Sequence, residues 1–383
     1  MGKNLEELRM EIDQIDRQMV SLFRRRMEAV TQVAEYKQER GLPVRDPSRE
    51  RALLGKVARE AGEELADHIQ SVYRTMMAAS RSYEHSRMGH SSTICGVIQR
   101  ALETTPKLFP QRPMVACQGI EGAYSQIACD HLFKAPTIRF YQNFDHVFRA
   151  VESGECQYGI LPIENSTAGS VLAVYDLMLK HKFSIVRSAR LKITHNLLAK
   201  RGTRLEDVKE VFSHQQAINQ CADYLAGLEG VKVTVVENTA VASRMVAQSE
   251  RRDVAALSSR NCAELYGLDI LRESVQDHDN NYTRFICISK RPEIYPGADR
   301  TSLMMIIPHE PGSLYNVLAK FYTLGLNLRK LESRPLPNRE FEFMFYFDIE
   351  GSVYAPELGI LFCDLEPEIE QLRYLGSYNE VIC

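Results

Sequence analysis

Two cations interrupt the apolar face of a helix predicted at the start of the chain. Apolar residues recur every three or four positions from Leu5 to Leu22, which is the spacing of a long packed helix. The next position on that face is Arg26, and Lys37 lies within about 20° of it around the helix. Burying a charge without a partner is costly, so these cations either bind an anionic ligand or pair with carboxylates of the same chain. The pattern leaves both alternatives open.

A hydroxyl and a carboxyl lie on the apolar face of another predicted helix, which begins at about Asp67. Ser80 and Glu84 are the next positions on this face after its apolar residues. Taken alone, Ser80 would be a tolerated small residue and Glu84 a surface acid. Beside two cations that face the interior, both become candidate groups for binding an anion.

The segment between these two helices contains signals that end one helix and begin the next. Pro43 ends the first helix, Asp46 is a suitable N-cap, and Pro47 suits the first helical position. Arg49 and Glu50 then lie in the first turn. The start of the chain is therefore predicted to be a helical unit with charged side chains facing its interior.

Short apolar runs in the middle of the chain are each followed by a polar or Gly-rich corner and then by a helical stretch. The five corners are GIEGAYSQ, ENSTAGS, SHQQAINQ, ENTAVAS and SSRNCAEL. This order is typical of α/β folds, in which ligands bind at the carboxyl ends of strands and helix N-termini favour anions. We therefore expect the corners to share one crevice that binds a small acid. Any single corner could equally be a plain turn or cap, and GIEGAY lacks the GxGxxG pattern of dinucleotide sites.

The stretch after about residue 300 has the order of a small α+β module. A strand is followed by a helix at Ser313–Leu324, two strands, a second helix and a final strand at GSYNEVI. A module of this kind without catalytic groups could be a ligand sensor or an assembly domain.

Length and composition exclude several classes of protein. The chain has 383 residues, 44% hydrophobic and 25% charged, which indicates two or three globular domains and excludes disordered and fibrous classes. Its net charge of −3 gives no global field for attracting nucleic acid or an anionic membrane. Nine scattered cysteines without a CxxC pair indicate reduced thiols, and neither a signal-peptide core nor an apolar stretch of about 20 residues is present. We expect a cytoplasmic location.

Six motifs along the chain resemble those of one family. The motifs are LPVRDPSRERALL, GIEGAYS, LPIENSTAGSV, NYTRF, PGSLYNVL and ESRP. Together they resemble the P-proteins, the bifunctional chorismate mutase/prephenate dehydratases of phenylalanine biosynthesis. The resemblance implies a multidomain fold: an all-α mutase domain at 1–88, a linker at 89–112, a two-lobed, periplasmic-binding-protein-like α/β dehydratase domain at 113–292, and an α+β ACT regulatory domain at 300–383.

For the first domain, the resemblance implies a chorismate site and an intertwined dimer. The implied contact residues are Arg9, Arg26, Lys37, Asp46, Arg49, Glu50, Ser80 and Glu84. Arg9, reaching in from the partner chain, and Arg26 would clamp the two carboxylates of chorismate. Lys37 would bridge a carboxylate and the ether oxygen, and Glu50 would accept from the ring hydroxyl. This rearrangement is pericyclic, so fixing one conformer and stabilising charge suffice, without a nucleophile, metal or cofactor.

One departure from the family concerns Glu84, where Gln is usual. A carboxyl group can donate a hydrogen bond to the ether oxygen only when it is protonated. We therefore expect a mutase rate that rises toward acidic pH.

For the second domain, the resemblance implies a prephenate site between two lobes. The implied residues are the catalytic Thr283 and the lining residues Glu164, Asn165, Ser213, Gln220 and Glu237. Loss of carbon dioxide and water from prephenate is driven by aromatisation, so the Thr283 hydroxyl need only help the hydroxide to leave. Without its motif, Thr283 would be an ordinary strand residue. A second departure is Gln215, where the family normally has Pro, which puts the backbone of that corner in doubt.

For the third domain, the resemblance implies phenylalanine as an inhibitory effector. The implied effector residues are Gly312, Ser313, Leu314, Glu332 and Ser333. We expect a homodimer or higher homo-oligomer with no nucleic-acid or membrane partner. Two alternatives remain: a dehydratase that prefers arogenate, and a two-lobed small-molecule sensor whose catalytic steps have decayed, for which Glu84 and Gln215 are the hints.

Overall fold

The N-terminal part of the chain is helical in the computed structural model, which describes residues 3–88, 92–337, 339 and 342–383. Its helices are α1 (Leu5–Arg40), α2 (Pro47–Ala61), α3 (Ala66–Met88) and α4 (Thr93–Thr104). The predicted start of α2 is confirmed, because the Asp46 side chain accepts a hydrogen bond from the backbone N–H of Arg49 and Pro47 is the first helical residue. None of the described helices is long and apolar enough to cross a membrane.

The apolar stripe on the first half of α1 is exposed in the single chain, so the packing predicted for this face does not come from the described residues of the same chain. Leu5 is 63% exposed and Leu22 is 59% exposed. The reason is length: α1 has 36 residues and spans about 54 Å, whereas α3 has 23 residues and spans about 35 Å. Polar contacts between the two helices, among them those of Arg26 and Lys37, lie in the second half of α1.

A helix lies in the segment that the sequence predicted to be a linker. Ser92 caps α4, and the carboxylate of Glu366 accepts the backbone N–H groups of Thr93 and Ile94, both at 3.0 Å. The apolar face of α4 shares a core with the C-terminal unit. Residues 89–91 of the predicted linker lie outside the described part of the chain.

The middle of the chain forms two lobes, each built on its own sheet. The strands are β1 (Met114–Gln118), β2 (Thr137–Tyr141), β3 (Tyr158–Asn165), β4 (Gly169–Ser170), β5 (Ser184–Lys192), β6 (Asn196–Ala199), β7 (Glu210–Ser213), β8 (Lys232–Val235), β9 (Val254–Ser258), β10 (Asp269–Arg272) and β11 (Tyr282–Ser289). The helices are α5 (Tyr124–Leu132), α6 (Phe144–Ser153), α7 (Leu172–Met178), α8 (Gln215–Gln220), α9 (Ala222–Ala226), α10 (Thr239–Gln248) and α11 (Arg260–Tyr266).

Strand order shows how the chain divides between the lobes. The first sheet has the order β5-β11-β3-β1-β2, with β4 paired to β3, and the second has the order β10-β6-β9-β7-β8. The chain leaves the first lobe after β5 and returns to it in β11. Because two connections join the lobes, their facing edges enclose a crevice that side chains from both can line.

The C-terminal unit has the predicted βαββαβ order, but its last strand differs from the prediction. Its elements are β12 (Arg300–Ile306), α12 (Ser313–Thr323), β13 (Asn327–Pro335), β14 (Phe343–Glu350), α13 (Pro356–Leu365), β15 (Gln371–Tyr378) and β16 (Glu380–Ile382). The antiparallel sheet has the order β13-β14-β12-β15. The predicted strand GSYNEVI is divided, since β15 ends at Tyr378 and β16 pairs in parallel with β5 of the first lobe.

The C-terminal unit packs closely on the first lobe. Met304, Tyr346 and Tyr378 share a core with residues of that lobe such as Val174 and Ile185. Gly376 makes the contact possible: its φ is 146°, and a Cβ at this position would overlap the carbonyl oxygen of Ile185. The unit therefore lies directly against the sheet that carries β3 and β11.

Two candidate active sites

The first candidate site lies between α1 and α3, where the structure brings Arg26, Lys37, Ser80 and Glu84 together. The Arg26 guanidinium donates to Ser80 Oγ. Lys37 Nζ donates to Glu84 Oε2 at 2.9 Å and to the carbonyl oxygen of Val44. Ser80 and Glu84 are buried. Internal carboxylate pairing, which the sequence left open, therefore occurs at Lys37, and the interpretation of Glu84 as a surface acid is wrong.

Helix α2 contributes a carboxylate that pairs with two arginines. Glu50 pairs with Arg81 Nη1 and lies 3.7 Å from Arg45 Nε. Both arginines line one cavity with Lys37. Asp46 is engaged in capping α2, and Arg49, which donates its backbone N–H to that cap, has an exposed side chain. Of the predicted residues on α2, Glu50 is thus the one that connects to Lys37, through arginines that line the same cavity.

Arg9 lies far from the cluster within one chain. It is exposed and precedes Arg26 by 17 residues on the same helix, which corresponds to about 26 Å. The chain alone therefore does not bring Arg9 to the other predicted mutase residues.

The cluster supplies cations, a hydroxyl and a carboxyl beside a cavity of about 790 Å³ lined by Lys37, Val44, Arg45 and Arg81. Such donors can hold a small dianion and stabilise an oxygen on which negative charge develops, without forming a covalent intermediate. Residues of the C-terminal unit, among them Glu366 and Glu368, close the cavity on its other side.

The second candidate site is a cavity of about 420 Å³ in the crevice between the two lobes. Asn165, Gln220, Glu237 and Thr283 of the predicted prephenate residues line it. Asn165 and Thr283 are cross-strand neighbours on β3 and β11, so they share one face of the first sheet. Four of the five predicted corners contribute to the lining, whereas SSRNCAEL contributes none of the described lining residues.

Hydrogen bonds fix the direction of the Thr283 hydroxyl. Asn165 Oδ1 accepts the backbone N–H groups of Thr167 and Ala168, at 3.1 Å and 2.8 Å, which sets the orientation of the amide. Asn165 Nδ2 then donates to Thr283 Oγ1 at 2.9 Å. Because Thr283 accepts this bond, its own proton is available to a ligand in the cavity.

His195 is a cavity residue that the sequence analysis missed. It is 2% exposed, and its Nε2 lies 3.0 Å from Gln220 Oε1, which also accepts from Asn281 Nδ2. Burial lowers the pKa of His195 and the Gln220 bond opposes this, with burial the larger effect. The neutral ring therefore donates from Nε2, and Nδ1, which has no hydrogen-bond partner among the described residues, is an acceptor. A lone histidine in a sequence gives no signal that its ring will line a cavity as a neutral acceptor.

Helix starts surround the cavity, which has no Arg or Lys among its described lining residues. The first residues of α5 and α10, Tyr124 and Thr239, line it beside the N-cap Asn238. Helix N-termini present unpaired backbone N–H groups and a positive dipole end, which suit a carboxylate. The expectation that this crevice favours a small acid is thus supported by helix ends.

The described residues that line this cavity do not include Glu164 or Ser213, although the resemblance implied that both line the prephenate site. Glu164 Oε1 accepts from Lys330 Nζ of β13 at 2.9 Å, on the side of the sheet that faces the C-terminal unit. Successive strand residues point to opposite faces, so Glu164 and its neighbour Asn165 cannot both face the crevice. Ser213 is fully buried and donates to the carbonyl oxygen of Leu257.

The corner that carries Gln215 forms a normal helix start despite the missing proline. Gln215 is the first residue of α8, and the His214 side chain accepts from the backbone N–H of Gln216 at 3.3 Å. His214 and Gln216 line the cavity. The doubt about the backbone of this corner is therefore removed.

The predicted effector residues face different neighbours. Gly312, the N-cap of α12, lines a cavity of about 570 Å³ between the C-terminal unit and helices α2 and α3. Glu332 accepts from the Ser170 hydroxyl of the first lobe, and Ser333 is exposed. Arg334 makes two hydrogen bonds to Asp176, at 2.7 Å and 2.9 Å, so the ESRP segment is attached to the first lobe.

Comparison with known families identifies relatives of both candidate sites. The family described as "Prephenate dehydratase" matches residues 115–293, and the family described as "Chorismate mutase type II" matches residues 8–85. The two matches cover the crevice between the lobes and the cluster between α1 and α3.

Curated relatives match either nearly the whole chain or about 70% of it. The bifunctional chorismate mutase/prephenate dehydratase of Aquifex aeolicus (strain VF5) is 31% identical over 386 residues, which cover 99% of this chain and 99% of that protein. Arogenate dehydratase 2 of Petunia hybrida is 37% identical over 284 residues, covering 70% of this chain and 72% of that protein. Among solved structures, prephenate dehydratase from Arthrobacter aurescens in complex with L-Phe has a TM-score of 0.64 at 28% identity, covering 70% of this chain and 90% of that one.

Proposed function

The chain belongs to the bifunctional chorismate mutase/prephenate dehydratase family, and from this membership we propose that it makes phenylpyruvate from chorismate in phenylalanine biosynthesis. The observation that carries the proposal is that both sites occur in one chain whose whole length matches a bifunctional relative. Supplying the purified chain with chorismate and, separately, with prephenate tests the two activities one at a time.

Chorismate rearrangement is assigned to the cluster between α1 and α3. Arg26 and Lys37 are the cations available to the two carboxylates and the ether oxygen, and Glu50 is the acceptor available to the ring hydroxyl. The cluster binds one compact conformer and stabilises the charge that develops as the C–O bond breaks. The second arginine, Arg9, is proposed to come from the partner in a homodimer, which the exposed apolar stripe of α1 supports.

Prephenate dehydration is assigned to the crevice between the lobes. Helix starts hold the side-chain carboxylate, and the Thr283 hydroxyl donates to the ring hydroxyl that departs. As the ring carboxylate leaves as carbon dioxide, its electron pair enters the ring and the C–O bond breaks. The departing hydroxide accepts the hydrogen bond from Thr283, takes one proton supplied by the solvent and leaves as water, and an aromatic ring remains.

Replacing Glu84 with Gln should speed the mutase. Glu84 Oε2 accepts from Lys37 Nζ at 2.9 Å, so the carboxylate occupies the cation that is proposed for the ether oxygen. A glutamine amide removes the charge that holds Lys37 and can itself donate an N–H to that oxygen. Initial rates of chorismate loss measure the effect. The matched control, Glu60→Gln, breaks the exposed Lys56–Glu60 pair and should leave the rate unchanged. An unchanged or lower rate in Glu84→Gln would contradict the role of Glu84.

Arogenate is the alternative substrate for the crevice, and the similarity to Petunia hybrida arogenate dehydratase 2 favours testing it. Arogenate carries an ammonium group where prephenate carries a carbonyl, and Glu237 is the carboxylate among the described lining residues. Comparing kcat/KM for the two substrates decides which one the chain prefers. We expect prephenate to be preferred, because the bifunctional relatives match the chain over its whole length.

Regulation is assigned to an ACT domain at 300–383. The other proposed divisions of the chain are the mutase domain at 1–88, a linker at 89–112 that contains α4, and the dehydratase domain at 113–292. The βαββαβ order of the C-terminal unit and the L-Phe complex of a similar dehydratase support phenylalanine as the effector. The proposed effector residues are Gly312, Ser313 and Leu314 at the start of α12, with Glu332 and Ser333 on β13.

Replacing Ser313 with Asp should weaken inhibition by phenylalanine. The new carboxylate would occupy the positive end of α12 and repel the carboxylate of the effector. We expect half-inhibition of prephenate turnover to require about tenfold more phenylalanine, which corresponds to about 1.4 kcal/mol of repulsion between the two carboxylates. The control is Ser352→Asp, at an exposed position of the same unit. Equal inhibition of Ser313→Asp and wild type would remove this residue from the effector site.

A further inference from the structure

A charge cluster joins the C-terminal unit to the helices of the mutase site. It consists of Arg45, Glu50, Arg81, Lys320 and Glu368. Arg45 lies just before α2, Glu50 is in α2 and Arg81 is in α3. Lys320 and Glu368 belong to the C-terminal unit. We call this group the interface charge cluster.

Glu368 is the residue at which the two parts meet. Its Oε1 lies 3.5 Å from Arg81 Nη2 and 3.7 Å from Arg45 Nη1. Its Oε2 lies 3.2 Å from Lys320 Nζ on α12. One carboxylate therefore contacts two cations of the mutase helices and one cation of the helix whose start is the proposed effector site.

Arg81 carries this contact on to Glu50. The Nη1 group of its guanidinium pairs with Glu50 Oε1, while Nη2 points to Glu368. A guanidinium is planar and rigid, so fixing one edge fixes the other. The position of Glu50, the proposed acceptor for the ring hydroxyl of chorismate, is thus set in part by a residue of the C-terminal unit.

The interface charge cluster is largely shielded from water. The exposed fractions of the side chains are 5% for Lys320, 15% for Glu368 and 16% for Arg81. Ion pairs at such sites are screened little by solvent, and removing one partner leaves a poorly solvated charge that must find a new position. Surface pairs such as Lys56–Glu60 lack this constraint.

We propose that Glu368 of the C-terminal unit is a positioning residue of the mutase site, acting through Arg81 on Glu50. The inference rests on the proposed mutase function. It makes the mutase site of this chain dependent on the C-terminal unit, and it provides a physical connection between α12 and chorismate binding. Without the Glu368 carboxylate, the Nη2 edge of Arg81 loses its contact at 3.5 Å, and Glu50 is held less firmly where the ring hydroxyl needs it.

The test compares Glu368→Gln with a matched control, Glu370→Gln. Glu370 lies two positions away, is about half exposed, and pairs with Arg339 within the C-terminal unit. For Glu368→Gln we expect kcat/KM for chorismate to fall about tenfold, in line with the effect of displacing a group in an active site. Turnover of prephenate should stay at the wild-type level, because the crevice between the lobes is not part of the interface charge cluster. Glu370→Gln should match wild type in both reactions.

Two further variants separate positioning from a merely structural role. Glu368→Asp keeps the charge and should retain most of the mutase activity. In a Glu50→Asp background, where the carboxylate no longer reaches its proper place, Glu368→Gln should have an effect smaller than twofold, because residues that act through one another are not additive. A structural role would give the same fold-change in both backgrounds.

Several outcomes would overturn the proposal. The first two are wild-type mutase activity in Glu368→Gln and an equal fall in both reactions. The third is an equal effect of Glu368→Gln in the wild-type and Glu50→Asp backgrounds. The fourth is a lower KM for chorismate at unchanged kcat, which indicates only the loss of a repelling charge. If the wild-type chain itself does not consume chorismate, the proposed function fails before the inference is tested.

Discussion

The Thr283→Val variant is expected to lose prephenate dehydration by about a hundredfold or more while still rearranging chorismate. The substitution replaces the hydroxyl by a methyl group of similar size at a strand position that favours β-branched residues. It removes the donor to the departing oxygen, and proton transfer of this kind contributes about 10² to 10⁴ in rate. The Asn165 amide also loses the acceptor at 2.9 Å that defines the direction of the hydroxyl.

Initial rates of phenylpyruvate formation from prephenate measure the effect of Thr283→Val. Thr283→Ser restores a hydroxyl and should recover a large part of the activity. Thr137→Val, on the exposed face of β2, makes the same chemical change elsewhere in the first sheet and should behave as wild type. If Thr283→Val kept a tenth or more of the wild-type rate, the departing oxygen would have another donor and the assignment of Thr283 would be wrong.

The Lys37→Met variant is expected to lose chorismate rearrangement by about two to three powers of ten, with prephenate dehydration unchanged. Removing one preorganised donor to a developing oxyanion has an effect of this size. The variant also leaves the buried Glu84 carboxylate without its partner at 2.9 Å, which destabilises the helical unit.

A second variant separates catalysis by Lys37 from stability. Lys37→Met combined with Glu84→Gln removes both charges of the buried pair, so the free energy of unfolding should recover while the mutase remains slow. Lys56→Met, at an exposed pair, serves as the control for loss of a lysine. Full mutase activity in the double variant would show that Lys37 serves only to neutralise Glu84.

Local patterns were sufficient to predict which helix faces carry the residues of the mutase cluster, but not whether those residues bind a ligand or pair with one another. Helical periodicity brought Arg26 and Lys37 to one face and Ser80 and Glu84 to another, and the structure has these faces in contact. The cap at Asp46 could be predicted because an N-cap depends on residues within one turn. Periodicity alone could not say that the first half of α1 lacks a partner within the chain, since an apolar stripe has the same pattern whether a segment of its own chain or another chain covers it.

The crevice between the lobes was predicted less completely, for reasons of strand geometry and long-range contact. Glu164 and Asn165 are neighbours in one motif, but strand alternation directs their side chains to opposite faces of the sheet. Glu164 therefore accepts a hydrogen bond from Lys330 of the C-terminal unit and does not line the crevice. Ser213 ends β7 with its hydroxyl turned to a neighbouring strand. The contacts of Glu368 with Arg81 and Lys320 join residues far apart in the sequence, so no local pattern indicates them.

The most direct test of the account is to give the wild-type chain chorismate as its only substrate and to follow the products by NMR, with and without phenylalanine. The account predicts that prephenate appears transiently, that phenylpyruvate accumulates, and that phenylalanine slows this accumulation. Chorismate that stays unchanged, or prephenate that accumulates without phenylpyruvate, would contradict the claim that one chain carries out both reactions.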